Sequence, residues 1–326
     1  MKNYKQRLPQ LDGNIFLTEG GIETHMMYKR DYKLKHFCLF DLLNNPVATR
    51  AIREYHERII EVALNHQVGM ILDGALYRAS RDWGDLLGYS PEGLAEIVTR
   101  GIEFYKDLAS EYATDTCQMP VSGNIGPRGD AYDIGHIMEV DEAEDYHTEQ
   151  IATMKAAGAD FVSAQTFSQV NEVIGLVRAA VAQEIPAVIS FTLDGTANLN
   201  TGPTLGEAIT AVDAATDSAP AYYMVNCTHP IDYIPAFEAP GDWIMRLRGI
   251  RPNASSLDKG MLCQLGHLEE GDPVELGGQM ADMARRFPHM NVWGGCCGTD
   301  YNHIDEMVKA ILQVRASEKV LETAQA

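Results

Sequence analysis

Eight short runs of β-branched and apolar residues, separated by longer amphipathic stretches, constrain this chain more than any other feature. They are Asn14–Leu17, Gly69–Leu72, Met119–Ser122, Phe161–Ala164, Ala187–Phe191, Tyr222–Asn226, Ile244–Leu247 and Asn291–Trp293. The stretches between them carry helix starts with a physical basis: Ser90-Pro91, Asp141 with Glu144, Thr204 with Glu207, and Asp272-Pro273 with Glu275. At such a start a side-chain oxygen accepts from an otherwise unpaired N–H, and an acid three residues on reciprocates. Eight strands, each followed by a helix or helical loop, predict an α/β fold, a single (β/α)8 TIM barrel. No Ser/Pro-rich linker interrupts the pattern, so one domain is expected over 1–326, with its core at about 14–315. An open doubly wound sheet competes. However, the first strand-to-helix junction, Thr18-Glu19-Gly20-Gly21-Ile22, is not a G-x-G-x-x-G fingerprint, and neither a Walker A sequence nor H-E-x-x-H occurs.

Charge and composition exclude several functions. With 26 basic against 46 acidic residues the net charge is −20, which argues against nucleic acid or an anionic membrane as partner. No run approaches the roughly 18 apolar residues of a membrane helix, and the start MKNYKQRLPQLDGN lacks the apolar stretch of a signal peptide. The sequence therefore reads as cytoplasmic. In that setting its six cysteines point to thiols or metal ligands before a disulfide framework.

In a barrel of this kind the active site forms where strands end. The residues expected at those ends are Glu19, Asp73, Asn124, Gln165, Thr192, Cys227, Arg248 and, after the eighth strand, Cys296 with Cys297. Strands 6 and 8 are near neighbours around a closed barrel, so Cys227 and the Cys296-Cys297 pair can converge. Three thiolates with an open fourth corner suit zinc in a catalytic rather than a structural role. The surrounding Gly294-Gly295-Cys296-Cys297-Gly298-Thr299 allows the turns that would let adjacent side chains face one ion. Two plainer readings stay open: Cys227 as a small buried hydrophobe, and Cys296-Cys297 as a redox dithiol. Cys38, Cys117 and Cys263 read as ordinary thiols.

Zinc bound by three thiolates is too electron-rich to activate water well, but it can hold a substrate thiol as thiolate. A free thiol of pKa about 8.5 is only about 3% ionised at pH 7, so full deprotonation gains roughly 30-fold, or about 2 kcal/mol. Orientation in a dry barrel mouth must supply the rest. The matching reaction is attack of sulfur on an electrophilic carbon such as an onium methyl.

At these residues the chain resembles the homocysteine S-methyltransferase family, over roughly Ile15 to Val314. The resemblance is carried by Val225-Asn226-Cys227 and by the glycine-flanked Cys296-Cys297. It is supported by Glu19-Gly20-Gly21 and by Ser122-Gly123-Asn124-Ile125-Gly126-Pro127. It implies zinc on Cys227, Cys296 and Cys297, and in-line methyl transfer to homocysteine to give methionine. It also implies substrate binding by Glu19, Gly20, Gly21, Asp73, Tyr77, Gln165 and Asn226. Two positions depart from the family pattern. Relatives commonly place an acid where this chain has Gln165, and Asp where it has Glu19. A neutral amide can accept from an ammonium, but a charge-assisted bond is about twice as strong. Either Asp73 or Glu19 takes over that charge, or the acceptor is not quite homocysteine.

The remaining candidates are weaker. His229 reads as a loop histidine beside the site, and Arg248 and Arg251 as grips for a donor carboxylate or as structural pairs of loop acids. Met26-Met27 and Trp83 read as packing, with Trp83 also able to face an onium. The expected function is zinc-dependent thiol S-methyl transfer from a small sulfonium or quaternary ammonium donor. The alternatives are a barrel serving a separate corrinoid protein and a non-catalytic zinc- or thiol-binding protein. The expected partners are small molecules, and a homo-oligomer is left open.

Overall fold

A computed structural model describes residues 7–257, 261–262 and 265–325, excluding the side chains of 319 and 321–325. Its eight parallel strands are β1 (Phe16–Leu17), β2 (Gly69–Met70), β3 (Ser122–Ile125), β4 (Phe161–Phe167), β5 (Ala187–Phe191), β6 (Tyr222–Asn226), β7 (Leu247–Arg251) and β8 (Val292–Trp293). They hydrogen-bond in the order β2-β1-β8-β7-β6-β5-β4-β3. The two ends of that order meet: Leu72 bridges Val121 in parallel, and Ser122 N–H donates to Leu72 O at 2.9 Å. The ring is therefore closed, as the eightfold alternation predicts.

The helices outside the ring are α1 (Ile22–Tyr28), α2 (Pro46–His66), α3 (Arg81–Leu87), α4 (Pro91–Tyr112), α5 (Val140–Ala157), α6 (Val170–Ala182), α7 (Leu205–Thr216), α8 (Pro230–Phe237), α9 (Pro273–Arg286) and α10 (Tyr301–Gln325). Their starts follow the sequence closely. Ser90 accepts from Gly93 N–H, and Asp272 accepts from Val274 and Glu275 N–H, each with proline in the first turn. Thr204 and Glu207 form a complete capping box. α5 departs from expectation, since it begins at Val140 with Glu139 as its N-cap. Asp141 lies in its first turn and pairs with Arg178, a place where acid also favours the helix dipole and so imitates a cap in sequence.

Alternation along the strands sorts side chains into two cores. Leu8, Phe16, Ile71, Phe161, Val188, Tyr222, Met224 and Val292 form one cluster at the barrel floor. Leu17, Met70, Val162, Ile189, Tyr223, Val225 and Trp293 face outward into the core shared with the helices. The 3-10 turn Pro9–Asp12 plugs the floor: Gln10 Nε2 donates to Tyr222 Oη, and Asn291 Nδ2 to Gln10 O. Two strands are offset from the sequence reading. β3 starts three residues later than expected. β7 runs Leu247–Arg251, because Ile244 belongs to a 3-10 turn, Asp242–Arg246. The offset moves Arg248 away from the rim, where its Nη1 donates to Asn291 Oδ1, and sets Arg251 at the strand end instead.

Candidate active site

The upper inward positions are polar. Ser122 Oγ donates to Ser163 Oγ, and Ser190 Oγ donates to Asn226 Oδ1. Asn226 also accepts from Thr166 N–H at 2.8 Å and donates to Thr166 Oγ1 at 2.7 Å, with its amide 4.0 Å from Cys296 Sγ. This residue, expected to bind substrate, thus fixes the end of β4, where Thr166 has φ +66°. Directly after Asn226 the chain leaves β6 through Cys227, itself left-handed at φ +54°. A non-glycine residue in that region signals a constrained position.

The loop after β8 is tied on both sides. Cys296 N–H donates to Pro252 O, Ala254 N–H to Cys297 O, and Gly295 N–H to Glu19 O. Thr299 Oγ1 donates to Cys296 O, and Gly298 N–H to Thr24 Oγ1. These bonds bring the sulfurs of Cys227, Cys296 and Cys297 within 4.8 Å of one another. Cys227 and Cys296 form a disulfide, with Cα atoms 5.4 Å apart, and Cys297 keeps its thiol. A disulfide was not expected from the sequence. The convergence that lets three sulfurs share a metal also brings two of them within bonding reach. Once that pair is reduced, the three sulfurs form a donor set suited to zinc. Cys38 and Cys117 are buried elsewhere, with burial pushing both thiols up to about 11, and Cys263 lies outside the described residues.

Beside the cysteines lies a buried charge cluster that sequence reasoning did not resolve. Arg251 donates from Nη2 to Glu19 Oε1, from Nη1 to Asp73 Oδ2 and from Nε to Gly295 O, at 3.1–3.2 Å. His56 supports Glu19 from behind. Its Nδ1 lies 2.9 Å from Ile52 O, and its Nε2 lies 3.0 Å from Asp73 O and 3.4 Å from Glu19 Oε2. Carbonyl oxygens face both ring nitrogens and can only accept, so this setting favours a proton on each. Burial alone would lower its pKa, but the hydrogen bond and charge of Glu19 and the two carbonyls raise it. Burial raises Glu19 and Asp73, opposed by Arg251 and His56. Arg251 and the His56 ring thus face two acids, which makes full burial tolerable. An arginine at the end of β7, inward-facing among strand-end acids, is the signal that could have revealed this cluster.

A cavity of about 430 Å³ opens above the cysteines, and Glu19, Gly20, Gly21, Tyr77, Gln165, Asn226 and all three cysteines line it. Asp73 does not line it, because Arg251 holds its carboxylate below. Gly21 lines the cavity, but its N–H already donates to Thr299 O. Gly20 is pressed between Thr299 and Tyr55, at 2.7 and 2.9 Å from where a Cβ would sit, which explains glycine at that position. Asn124 Oδ1, Gln165 Oε1 and Asn253 Oδ1 are buried without a hydrogen-bond partner among the described residues, a row of acceptors suited to a ligand N–H. Met27, Tyr28, Phe37 and Tyr132 also line the cavity. Met27 is therefore not core packing, unlike its neighbour Met26. Trp83 is not part of the cavity wall, and the Arg78 guanidinium sits 4.1 Å over its ring. His229 caps α8 and accepts from Ile231 N–H.

The sequence profile of homocysteine S-methyltransferases matches residues 16–311, nine-tenths of the chain. This chain belongs to the homocysteine S-methyltransferase family. It is 26% identical to methionine synthase of Mycobacterium leprae over 231 residues, and 24% identical to methionine synthase of Mycobacterium tuberculosis over 239 residues. Those matches cover 67% and 69% of this chain but only 18% and 19% of the relatives, so the chain spans about a fifth of their length. Its fold is that of the homocysteine methyltransferase MmuM from Escherichia coli. The oxidised form superposes with a TM-score of 0.74 at 19% identity, covering 97% of this chain and all of that one. The metallated form gives 0.72 at 19% identity, covering 94% and 99%. Among the described residues no helix is long and apolar enough to cross a membrane.

Proposed function

We propose that this family member is a zinc-dependent enzyme, built as one barrel domain, that moves a methyl group from a small sulfonium or quaternary ammonium donor to homocysteine, giving methionine. The observation that carries this reading is the convergence of Cys227, Cys296 and Cys297 at the floor of a cavity large enough for two small molecules. Bound to these three residues, zinc would supply a site that keeps an acceptor thiol deprotonated and nucleophilic at neutral pH.

The chain's own residues would do the rest. Glu19, clamped by Arg251 and His56, gives the ligand pocket a fixed wall, while Asn124 and Gln165 offer acceptors to the ligand. Fixed partners of this kind lower the entropic cost of alignment, which in a two-substrate transfer contributes several kcal/mol. Tyr28, Phe37, Tyr77 and Tyr132 give the cavity aromatic walls, the surface that attracts an onium centre. The acceptor sulfur gains the methyl carbon as the donor's C–S or C–N bond breaks, and the donor leaves as a neutral sulfide or amine.

A panel of onium donors with homocysteine, read by mass spectrometry, tests this reading. Methionine should form with at least one donor and no other protein present. Cys297→Ser should bind less zinc, and full zinc stoichiometry in that variant would sink the proposed ligand set. The similarity to methionine synthases favours a second reading, in which a separate corrinoid protein delivers the methyl group. Product that forms only when such a protein is added would select it.

A further inference from the structure

Among the described residues four carboxyl side chains line the cavity, and three of them are already engaged. Glu19 is held by Arg251 and His56, and a Cβ on Gly74 would collide with its carboxylate, so it is enclosed as well as paired. Asp130 is ion-paired with Arg78 at 2.8 Å, and that guanidinium also stacks on Trp83. Glu269 stands 3.7 Å from His267 with a side chain 38% exposed, so solvent screens it. The fourth is Glu23. It lies in the first turn of α1, two residues beyond Gly21, and lines the same cavity as Tyr28, Phe37 and Tyr77. Among the described residues no basic side chain forms an ion pair with it: Arg251 and Arg78, each engaged with another acid, act on it only through space, and its carboxylate accepts from its own backbone N–H. Across the cavity the neutral Gln165 leaves its oxygen without a partner.

We infer that Glu23 is the counter-ion that binds a small organic cation in this cavity. A cation entering here cannot take its charge partner from Glu19 without breaking a buried ion pair, or from Asp130 without breaking a half-exposed one, whereas Glu23 gains one. Burial, reinforced by the charge of Glu19 and only partly opposed by Arg251 and Arg78, pushes Glu23 up to about 8, as expected of a carboxyl group without an ion-pair partner of its own. The inference rests on the methyl-transfer reading in one respect. That reading supplies two sources of the cation, the ammonium of the amino-acid acceptor and the onium centre of the donor.

Calorimetric binding to the zinc-loaded protein, wild type against Glu23→Gln, tests it. The probes are homocysteine, 4-mercaptobutanoate (the same thiol without the ammonium), n-butylammonium and tetramethylammonium. An ammonium partner predicts about tenfold weaker binding of homocysteine and n-butylammonium to Glu23→Gln, with 4-mercaptobutanoate unchanged and Glu23→Asp recovering part of the loss. An onium partner places the loss on tetramethylammonium instead. Equal affinity of every cation for wild type and Glu23→Gln overturns the inference, as does a wild type that binds no cation. If the wild type binds the simple cations through Glu23 but not homocysteine, the acceptor assignment fails and the counter-ion role stands. Melting temperatures at pH 5 check that each variant is folded.

Discussion

The floor and the rim of this barrel are built by one alternation along the same strands, yet they have opposite chemistry. Phe161, Val188, Tyr222 and Met224 fill the floor, while two to four residues further along β4, β5 and β6 the inward positions are Ser163, Gln165, Ser190 and Asn226. At the floor apolar packing dominates, and Gln10 and Asn291 donate to chain and tyrosine oxygens. At the rim an arginine and a histidine hold two acids, three sulfurs converge, and several acceptor oxygens have no partner among the described residues. The lower half of the barrel supplies stability with little chemical potential, and the upper half holds polar groups that only a ligand completes.

The sharpest way to break this contrast is Arg251→Ala. It removes the partner of two buried carboxylates and should destabilise by about 3–5 kcal/mol in urea denaturation, which would show that the rim is structural as well as functional. Unchanged stability would mean that Glu19 and Asp73 simply take up protons. At the floor, Phe16→Ala should cost about 3 kcal/mol while zinc stoichiometry is retained, because the cavity it leaves lies below the site. Loss of metal in that variant would erase the division. A smaller effect is expected at Glu23. Its folded pKa is raised above the unfolded value of 4.5, so its contribution to stability is complete below about 4.5 and is lost as pH rises through about 8. Glu23→Gln should therefore melt with wild type at pH 4.5 and a few degrees above it at pH 9, measured without ligand. The smallest effect belongs to neither region: Thr204→Ala opens the capping box of α7, costing about 1 kcal/mol and leaving metal binding unchanged.

The sequence was most legible where local signals agreed. β5 and β6 occupy their expected bounds because their runs are apolar except for one polar inward residue near the end, Ser190 in β5 and Asn226 in β6. The helix starts at Ser90, Thr204 and Asp272 were readable because their chemistry is local. β7 was misplaced because its inward positions are Gly249 and Arg251, so the more apolar 3-10 turn before it imitated the strand. The cysteines could be placed together because the barrel order predicts which strand ends are neighbours. Side-chain partners across the barrel were beyond reach. Asp73 and Asn226 sit in the expected layer, but whether each turned to a ligand or to Arg251 and Thr166 depends on contacts 60 or more residues away.

Glu19 and Gly295, joined backbone to backbone, lie near opposite ends of the chain, as do Thr24 and Gly298, 274 positions apart. This clasp makes the site a late event in folding. Contacts of such long sequence separation form only after the intervening chain has given up its freedom. A ribosome-bound intermediate holding β1 to β6 would already display Cys227 without its two partners. Metal capture would then mark completion of the ring, and could serve as a reporter of it in refolding experiments.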